Sequence, residues 1–180
     1  MSSLCTTQNH AEFTSEHAIK TLTTFLPPLG TPATSRKGDC GHVAVLGCSP
    51  DYAGAGYYAA EGALRAGADL CSLYTIDDDV ASVVKSYGRE VMVKSLGINL
   101  DPDTNVDANA DADVEGIVRD KIFGGARAID AFVVGPGLGR RDVVKSVVAA
   151  VIKCCREKGI VVVIDADGIW AILDKLDLIR

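Results

Sequence analysis

Glycines and carboxylates crowd three short stretches of this chain, and each stretch directly follows an apolar, β-type run. The first is Gly47-Cys48-Ser49-Pro50-Asp51-Tyr52-Ala53-Gly54-Ala55-Gly56, after a run at residues 42–46. The second is Gly135-Pro136-Gly137-Leu138-Gly139, after Ala131-Phe132-Val133-Val134, and the third is Asp165-Ala166-Asp167-Gly168, after five consecutive β-branched residues at 160–164. Glycine lets a backbone turn sharply and approach a ligand closely, and a helix starting just beyond it aims free N–H groups at the same space. That arrangement suits a phosphate or pyrophosphate, to which Arg140 and Arg141 could add charge-assisted hydrogen bonds. Asp165 and Asp167 could bind magnesium, accept ribose hydroxyls or cap the following helix. One such turn alone is more often a tight strand-to-helix connection. Three at successive strand ends point to a ligand site.

Other patterns fail on inspection. Gly54-Ala55-Gly56-Tyr57-Tyr58-Ala59 fits a GxGxxA dinucleotide fingerprint with Asp77 downstream, but its first Gly lies well past the strand end at Gly47, where that motif must begin. Residues 101–115 start like a calcium loop, yet Val106 and Ala112 occupy positions that need Gly and Glu, so a solvated surface loop is expected. No GxxxxGK[ST] occurs, and no Ser or Cys has a His at a recognisable catalytic spacing. The cysteines (Cys5, Cys40, Cys48, Cys71, Cys154, Cys155) form no CxxC pair, and His10, His17 and His42 are not spaced with them as zinc ligands. They read as reduced, packed thiols. No metal ligand and no catalytic side chain is assigned.

The elements that must position these loops alternate along the chain. A helix is expected at 15–25, with Ser15 as N-cap and Pro27-Pro28 as the stop. Strands follow at 42–47, 69–75, 90–95, 128–135 and 160–165, interleaved with helices at 56–67, 79–87, 114–123, 142–158 and 168–178. Five strand–helix alternations call for right-handed crossovers and a doubly wound, mostly parallel sheet flanked by helices. The unbroken run Ile160-Val161-Val162-Val163-Ile164 suits a central strand buried on both faces. In such sheets a ligand sits beyond the carboxyl ends of the strands.

Bulk properties agree. The chain has 180 residues, 48% apolar and 23% charged, which is ordinary globular usage. Residues 1–36 are expected as a helix and linker, and 37–180 as one α/β domain. A net charge of −6 disfavours nucleic acid, which needs clustered cations. No apolar run approaches the roughly 18 residues of a membrane span. Residues 1–12 do not form a secretory signal, and the absence of Arg before Arg36 argues against a mitochondrial presequence. A cytoplasmic protein with a small-molecule partner is expected, with a mitochondrial form and a homo-oligomer left open.

The motifs also carry a family resemblance. Lys37-Gly38-x-x-Gly41-x-Val43, Gly47-x-Ser49-x-x-Tyr52-x-Gly54-Ala55, the segment Ala63-Leu64-Arg65-Ala66-Gly67-Ala68-Asp69-Leu70, Gly135-Pro136-Gly137-Leu138-Gly139-Arg140 and Ile164-Asp165-Ala166-Asp167-Gly168 resemble the ADP- or ATP-dependent NAD(P)H-hydrate dehydratases in order and spacing. Phe25-Leu26-Pro27-Pro28-Leu29 looks like the eukaryotic single-domain members. The resemblance implies a ribokinase-like fold and a repair lyase that restores hydrated NADH or NADPH at the expense of ATP (or ADP) with Mg2+. It implies contacts from Ala55 and Gly139 to the hydrated cofactor, a wall shaped by Tyr52, Gly54 and Gly137, and a secondary part for Asp165 and Asp167. Two departures stand in the first loop: Gly56 replaces the usual Pro after Gly-Ala, and Cys48 replaces the second Gly of a Gly-Gly pair. Family members continue past Arg180 through an ATP-binding segment and a late Gly-x-Gly-Asp motif, so a chain truncated at its C-terminus, carrying one half of the site, is expected. The alternatives are a non-catalytic nucleotide-binding remnant and a ribokinase-like vitamin kinase.

Overall fold

The computed structural model describes residues 15–25, 36–98, 110–125 and 128–179. The chain divides into two units, Met1–Arg36 and Lys37–Arg180. The first holds helix α1 (Ser15–Phe25), which includes Ser15 as its first residue; the Pro27-Pro28 stop lies outside the described residues.

In the second unit five strands, β1 (His42–Leu46), β2 (Leu70–Thr75), β3 (Met92–Ser95), β4 (Ala131–Val134) and β5 (Val161–Ile164), form one sheet ordered β3-β2-β1-β4-β5. Every pairing is parallel. The connecting helices are α2 (Ala53–Arg65), α3 (Asp78–Val84), α4 (Ala110–Phe123) and α5 (Asp142–Lys158). After β5 come α6 (Asp167–Ile172) and a 3-10 turn, Leu176–Ile179.

Successive strand side chains point to opposite faces, so the sheet has two cores. On one face Leu46, Tyr74, Phe132 and Val134 pack with Val114, Val118 and Ile122 of α4 and Val144, Val147, Val148 and Val151 of α5. On the other, Val45, Cys71 and Leu73 pack with Ala60 of α2 and Val80 and Val84 of α3. A side chain of this kind, fully buried, contributes about 1.5–3 kcal/mol. Helix α5 is the best anchored element, because its Val-rich sequence buries residues at helical spacing along its length and Gly159 ends it at φ 67°.

Three expectations need correction. Among the described residues the run at 160–164 is not central: β5 stands at the edge of the sheet, with Val162 and Ile164 turned to the core and Val161 and Val163 left 65% and 52% exposed. The reason is coverage. Helix α2 packs on β1 and β2, and α3 on β2 and β3, so among the described residues no helix lies over that face of β5. Second, the surface loop at 101–115 is partly helix. Residues 101–109 lie outside the described residues, but α4 begins at Ala110 and buries Val114. Third, α2 starts at Ala53 instead of residue 56, which moves Gly54 and Ala55 from the loop into the helix's first turn.

Candidate functional site

The strand order reverses between β1 and β4. Strand β1 leads through α2 to its neighbour on one side, β2, while β4 lies on its other side and leads through α5 to β5. Crossovers that diverge from adjacent strands open a crevice at their carboxyl ends, the usual ligand position of an open α/β sheet. The two glycine-rich stretches are the loops leaving β1 and β4, so they form the two lips of that crevice. The Asp165–Gly168 turn leaves β5, next to β4.

Close packing locks the three loops together, and glycine permits it. A β-carbon at Gly47 would stand 2.6 Å from the Pro136 carbonyl oxygen, and Cys48 N–H donates to that oxygen at 3.0 Å. At Gly137, φ 66°, a β-carbon would lie 2.6 Å from the Tyr52 carbonyl oxygen and 3.0 Å from the Ala55 methyl. Gly135 likewise has no room, against the Asp165 carbonyl and, at 2.6 Å, the Gly168 nitrogen. Gly139, φ 73°, faces the Ser49 side chain at 3.5 Å. Tyr52, Ala55, Gly137, Gly139, Asp165 and Asp167 are thus brought to one region. Gly54 is set slightly apart, its α-carbon beneath the Tyr58 ring. Tyr52, Ala55 and Asp165 are exposed at the crevice, Gly139 and Asp167 half-buried and Gly137 buried.

The first loop also carries its two departures as a matched pair. Cys48 is fully buried at φ 68°, with its thiol donating to the Ala53 carbonyl at 3.0 Å. A β-carbon at Gly56 would lie 2.7 Å from Cys48 Sγ. The sulfur occupies the space that a side chain at 56 would need.

Charges in the site are already partnered. Asp167 accepts the Gly139 N–H at 3.0 Å and the Arg140 Nε at 3.1 Å. Arg141 makes a two-pronged pair with Asp77, at 3.2 and 2.7 Å. The two arginines therefore brace loops in this structure rather than standing ready for phosphate. What remains for an anion is backbone. Tyr52 and Arg141 are the N-cap residues of α2 and α5 and make no side-chain cap hydrogen bond, and the earliest N–H groups of a helix have no acceptor inside it.

Ser49 stands in the sequence only as one letter of the first loop's motif and is not among the site residues expected from it. It is 3% exposed and its Oγ is the one buried side-chain polar atom without a hydrogen-bond partner among the described residues. A hydroxyl inside a glycine-rich strand end was the available signal.

Three of the buried thiols offer no nucleophile. Burial pushes Cys48 above its ordinary value, Cys71 up to about 11 and Cys155 up to about 12, which keeps them protonated and unreactive. Among the described residues no group of three or more metal-ligating side chains occurs. With both oxygens of Asp167 engaged, Asp165 is the only free carboxylate of its turn, which does not make a magnesium cage. A cavity of about 290 Å³ beside Ile129 and Ile160 lies at the amino ends of β4 and β5, away from the crevice; one of about 400 Å³ lined by Gly54, Tyr57, Tyr58 and Tyr87 adjoins the first loop. No described helix is long and apolar enough to cross a membrane.

The sheet is a doubly wound parallel one with glycine loops at its switch point, and likeness to a solved structure makes the fold ribokinase-like. A solved ribokinase-like superfamily protein from Enterococcus faecalis superposes with a TM-score of 0.57 at 21% identity, over 79% of this chain and 43% of that one. The family described as NAD(P)H-hydrate dehydratase matches residues 43–179, and the chain belongs to that family. Among its relatives, the ATP-dependent (S)-NAD(P)H-hydrate dehydratase of Entamoeba histolytica is 36% identical over 146 residues, covering 81% of this chain and 43% of that protein. The enzyme of the same name from Homo sapiens is 34% identical over 165 residues, covering 92% of this chain and 42% of that one. The chain therefore spans less than half the length of the curated relatives it matches.

Proposed function

We propose that this chain supplies the dinucleotide-binding part of an ATP-dependent dehydratase acting on the S form of hydrated NADH or NADPH. One observation carries the reading: the loops leaving β1 and β4 meet at the switch point through Gly47–Pro136 and Gly137–Tyr52/Ala55 contacts that any larger residue would block. The names of the relatives support the substrate. Ala55 and Gly139 contact the hydrated cofactor, Tyr52, Gly54 and Gly137 shape the wall around it, and Asp165 reaches it from β5, with Asp167 acting through the Gly139 loop. In the reaction, a phosphoryl group passes from ATP to the ring hydroxyl. An O–P bond forms as the terminal P–O bond of ATP breaks, releasing ADP, and the hydroxyl proton goes to solvent. The ring C–O bond then breaks, phosphate leaves with its electron pair, and a proton is lost from the adjacent ring carbon. Hydroxide leaves poorly and phosphate well, and the ring nitrogen's lone pair drives the departure. Magnesium belongs with the ATP phosphates, which ordinarily hold it with only one or two carboxylates. A reducing cytoplasm suits the buried free thiols.

The test is Gly139→Asp. A side chain at φ 73° costs on the order of 1 kcal/mol, which the fold can absorb. The new carboxylate would enter the space against Ser49 and beside Asp167, where it would repel phosphate. Calorimetric titration with hydrated NADPH should show binding by the unaltered chain and none by the variant, with the circular dichroism of the two superposable. Equal affinity would remove Gly139 from the site.

A further inference from the structure

We propose that Ser49 is a phosphate-binding residue whose hydroxyl donates to a phosphoryl oxygen of the nucleotide seated between the loops leaving β1 and β4. The inference rests on the dinucleotide reading above and assigns an atom within it. A buried hydroxyl with no partner destabilises a fold, so its retention calls for something it contacts when the site is filled.

The neighbours narrow what that contact is. The Gly139 N–H is taken by Asp167, Arg140 by the same carboxylate, Arg141 by Asp77, and the Cys48 thiol by the Ala53 carbonyl. Ser49's own carbonyl accepts the Tyr52 N–H at 3.1 Å. Its side-chain hydroxyl is left as an uncommitted donor against Gly139, the residue that leads into α5. The amino end of that 17-residue helix, three residues beyond Gly139 at Asp142, has no side-chain cap and favours negative charge. Donor and helix end together select an anionic oxygen, and a dinucleotide carries such oxygens on its pyrophosphate.

The hydroxyl is also held still. Cys48 is fixed at φ 68° by its N–H bond to Pro136, and the Ser49–Tyr52 bond closes the next turn. A donor fixed beforehand loses little freedom on binding.

The experiment compares the 180-residue chain with Ser49→Ala and Ser49→Cys, using NADH and ADP-ribose as probes in calorimetry and recording Tm without ligand. Ser49→Ala should melt at or above the unaltered chain, because it removes an unsatisfied buried group. It should bind both probes about tenfold more weakly, the loss expected for one hydrogen bond to a charged group. Ser49→Cys keeps the volume with a weak donor and should fall between, and it serves as the test variant if the alanine variant does not fold. Lowered Tm with unchanged affinity would make the hydroxyl a structural group and overturn the proposal. A loss confined to NADH would put the contact at the nicotinamide end and overturn the phosphate assignment. If the unaltered chain binds neither probe, the dinucleotide reading fails and takes this inference with it. If Gly139→Asp abolishes binding while Ser49→Ala binds normally, only the role of Ser49 falls.

Discussion

At the scale of single residues, the first loop shows how two departures from a family pattern can be one change. The resemblance read in the sequence implies a Gly in the place of Cys48 and a Pro in the place of Gly56. Cys48 Sγ fills the space 2.7 Å from a β-carbon at 56, so a side chain at 56 conflicts with Cys48. Gly56→Ala in the present background should cost about 1–3 kcal/mol, the range for forcing atoms into a packed site. In a Cys48→Gly background the sulfur is gone and the backbone at 48, now at φ 68°, is relieved as well. The same Gly56→Ala change should then cost less, leaving a favourable coupling of about 1–2 kcal/mol between the two substitutions. Urea denaturation of the four proteins in the cycle measures it, and strict additivity would show that the two positions are independent. The residual contact of 3.0 Å to the Cys48 nitrogen explains why the rescue should be incomplete.

At the scale of elements, the turn after β5 serves as a brace for the loop after β4. Asp167 holds the Gly139 N–H and Arg140, a half-exposed arginine whose ion pair is worth little by itself. The hydrogen bond to the loop matters more. Asp167→Ala leaves that N–H unpaired, and a loop held less firmly binds its ligand less well. Asp167→Asn keeps an acceptor. The alanine variant should therefore lose about 1–2 kcal/mol of stability, from one broken hydrogen bond, together with several-fold in NADPH affinity, while the asparagine variant, which keeps an acceptor for the Gly139 N–H, should lose less of both. If asparagine destabilises as much as alanine with affinity untouched, the residue serves only the fold. Much of this was legible in the sequence, because glycines at a strand end have few uses and their spacing from the next helix is local. The alternation of strands and helices was legible for the same reason. What could not be read were relations between distant residues. Arg141 meets Asp77 across 64 positions, so two arginines that look ready for phosphate prove to be occupied. The apolar run of β5 is equally ambiguous, since Val161 and Val163 would have the same composition in the middle of a sheet or at an edge whose cover lies elsewhere. The orphaned Ser49 hydroxyl appears only once the loops are folded against it.

At the scale of the whole molecule, the chain holds a crevice with one furnished side. Glycine loops from β1 and β4 and the turn from β5 supply backbone donors and close walls, yet the groups that would do chemistry are missing from them. Cys48 is kept protonated by burial, and Asp167 is bound on both oxygens. Asp165 is free and exposed, but a general base must be held within hydrogen-bond reach of the proton it removes, and among the described residues nothing fixes its carboxylate. The 180 residues contain no Gly-x-Gly-Asp, and no glycine-rich stretch follows Gly168 to cradle a triphosphate. The open face of β5, with Val161 and Val163 in water, is a surface that doubly wound sheets ordinarily cover. The chain as given should therefore bind hydrated NADPH without turning it over: incubation with ATP should release neither ADP nor phosphate above the buffer rate, and the absorbance of the reduced nicotinamide should not recover. A relative such as the Entamoeba histolytica enzyme, run alongside at equal concentration, shows that the assay detects repair. Turnover by the 180-residue chain, with its mass confirmed, would overturn this expectation and mean that Asp165 or another carboxylate of this half completes the site without the segments its longer relatives carry.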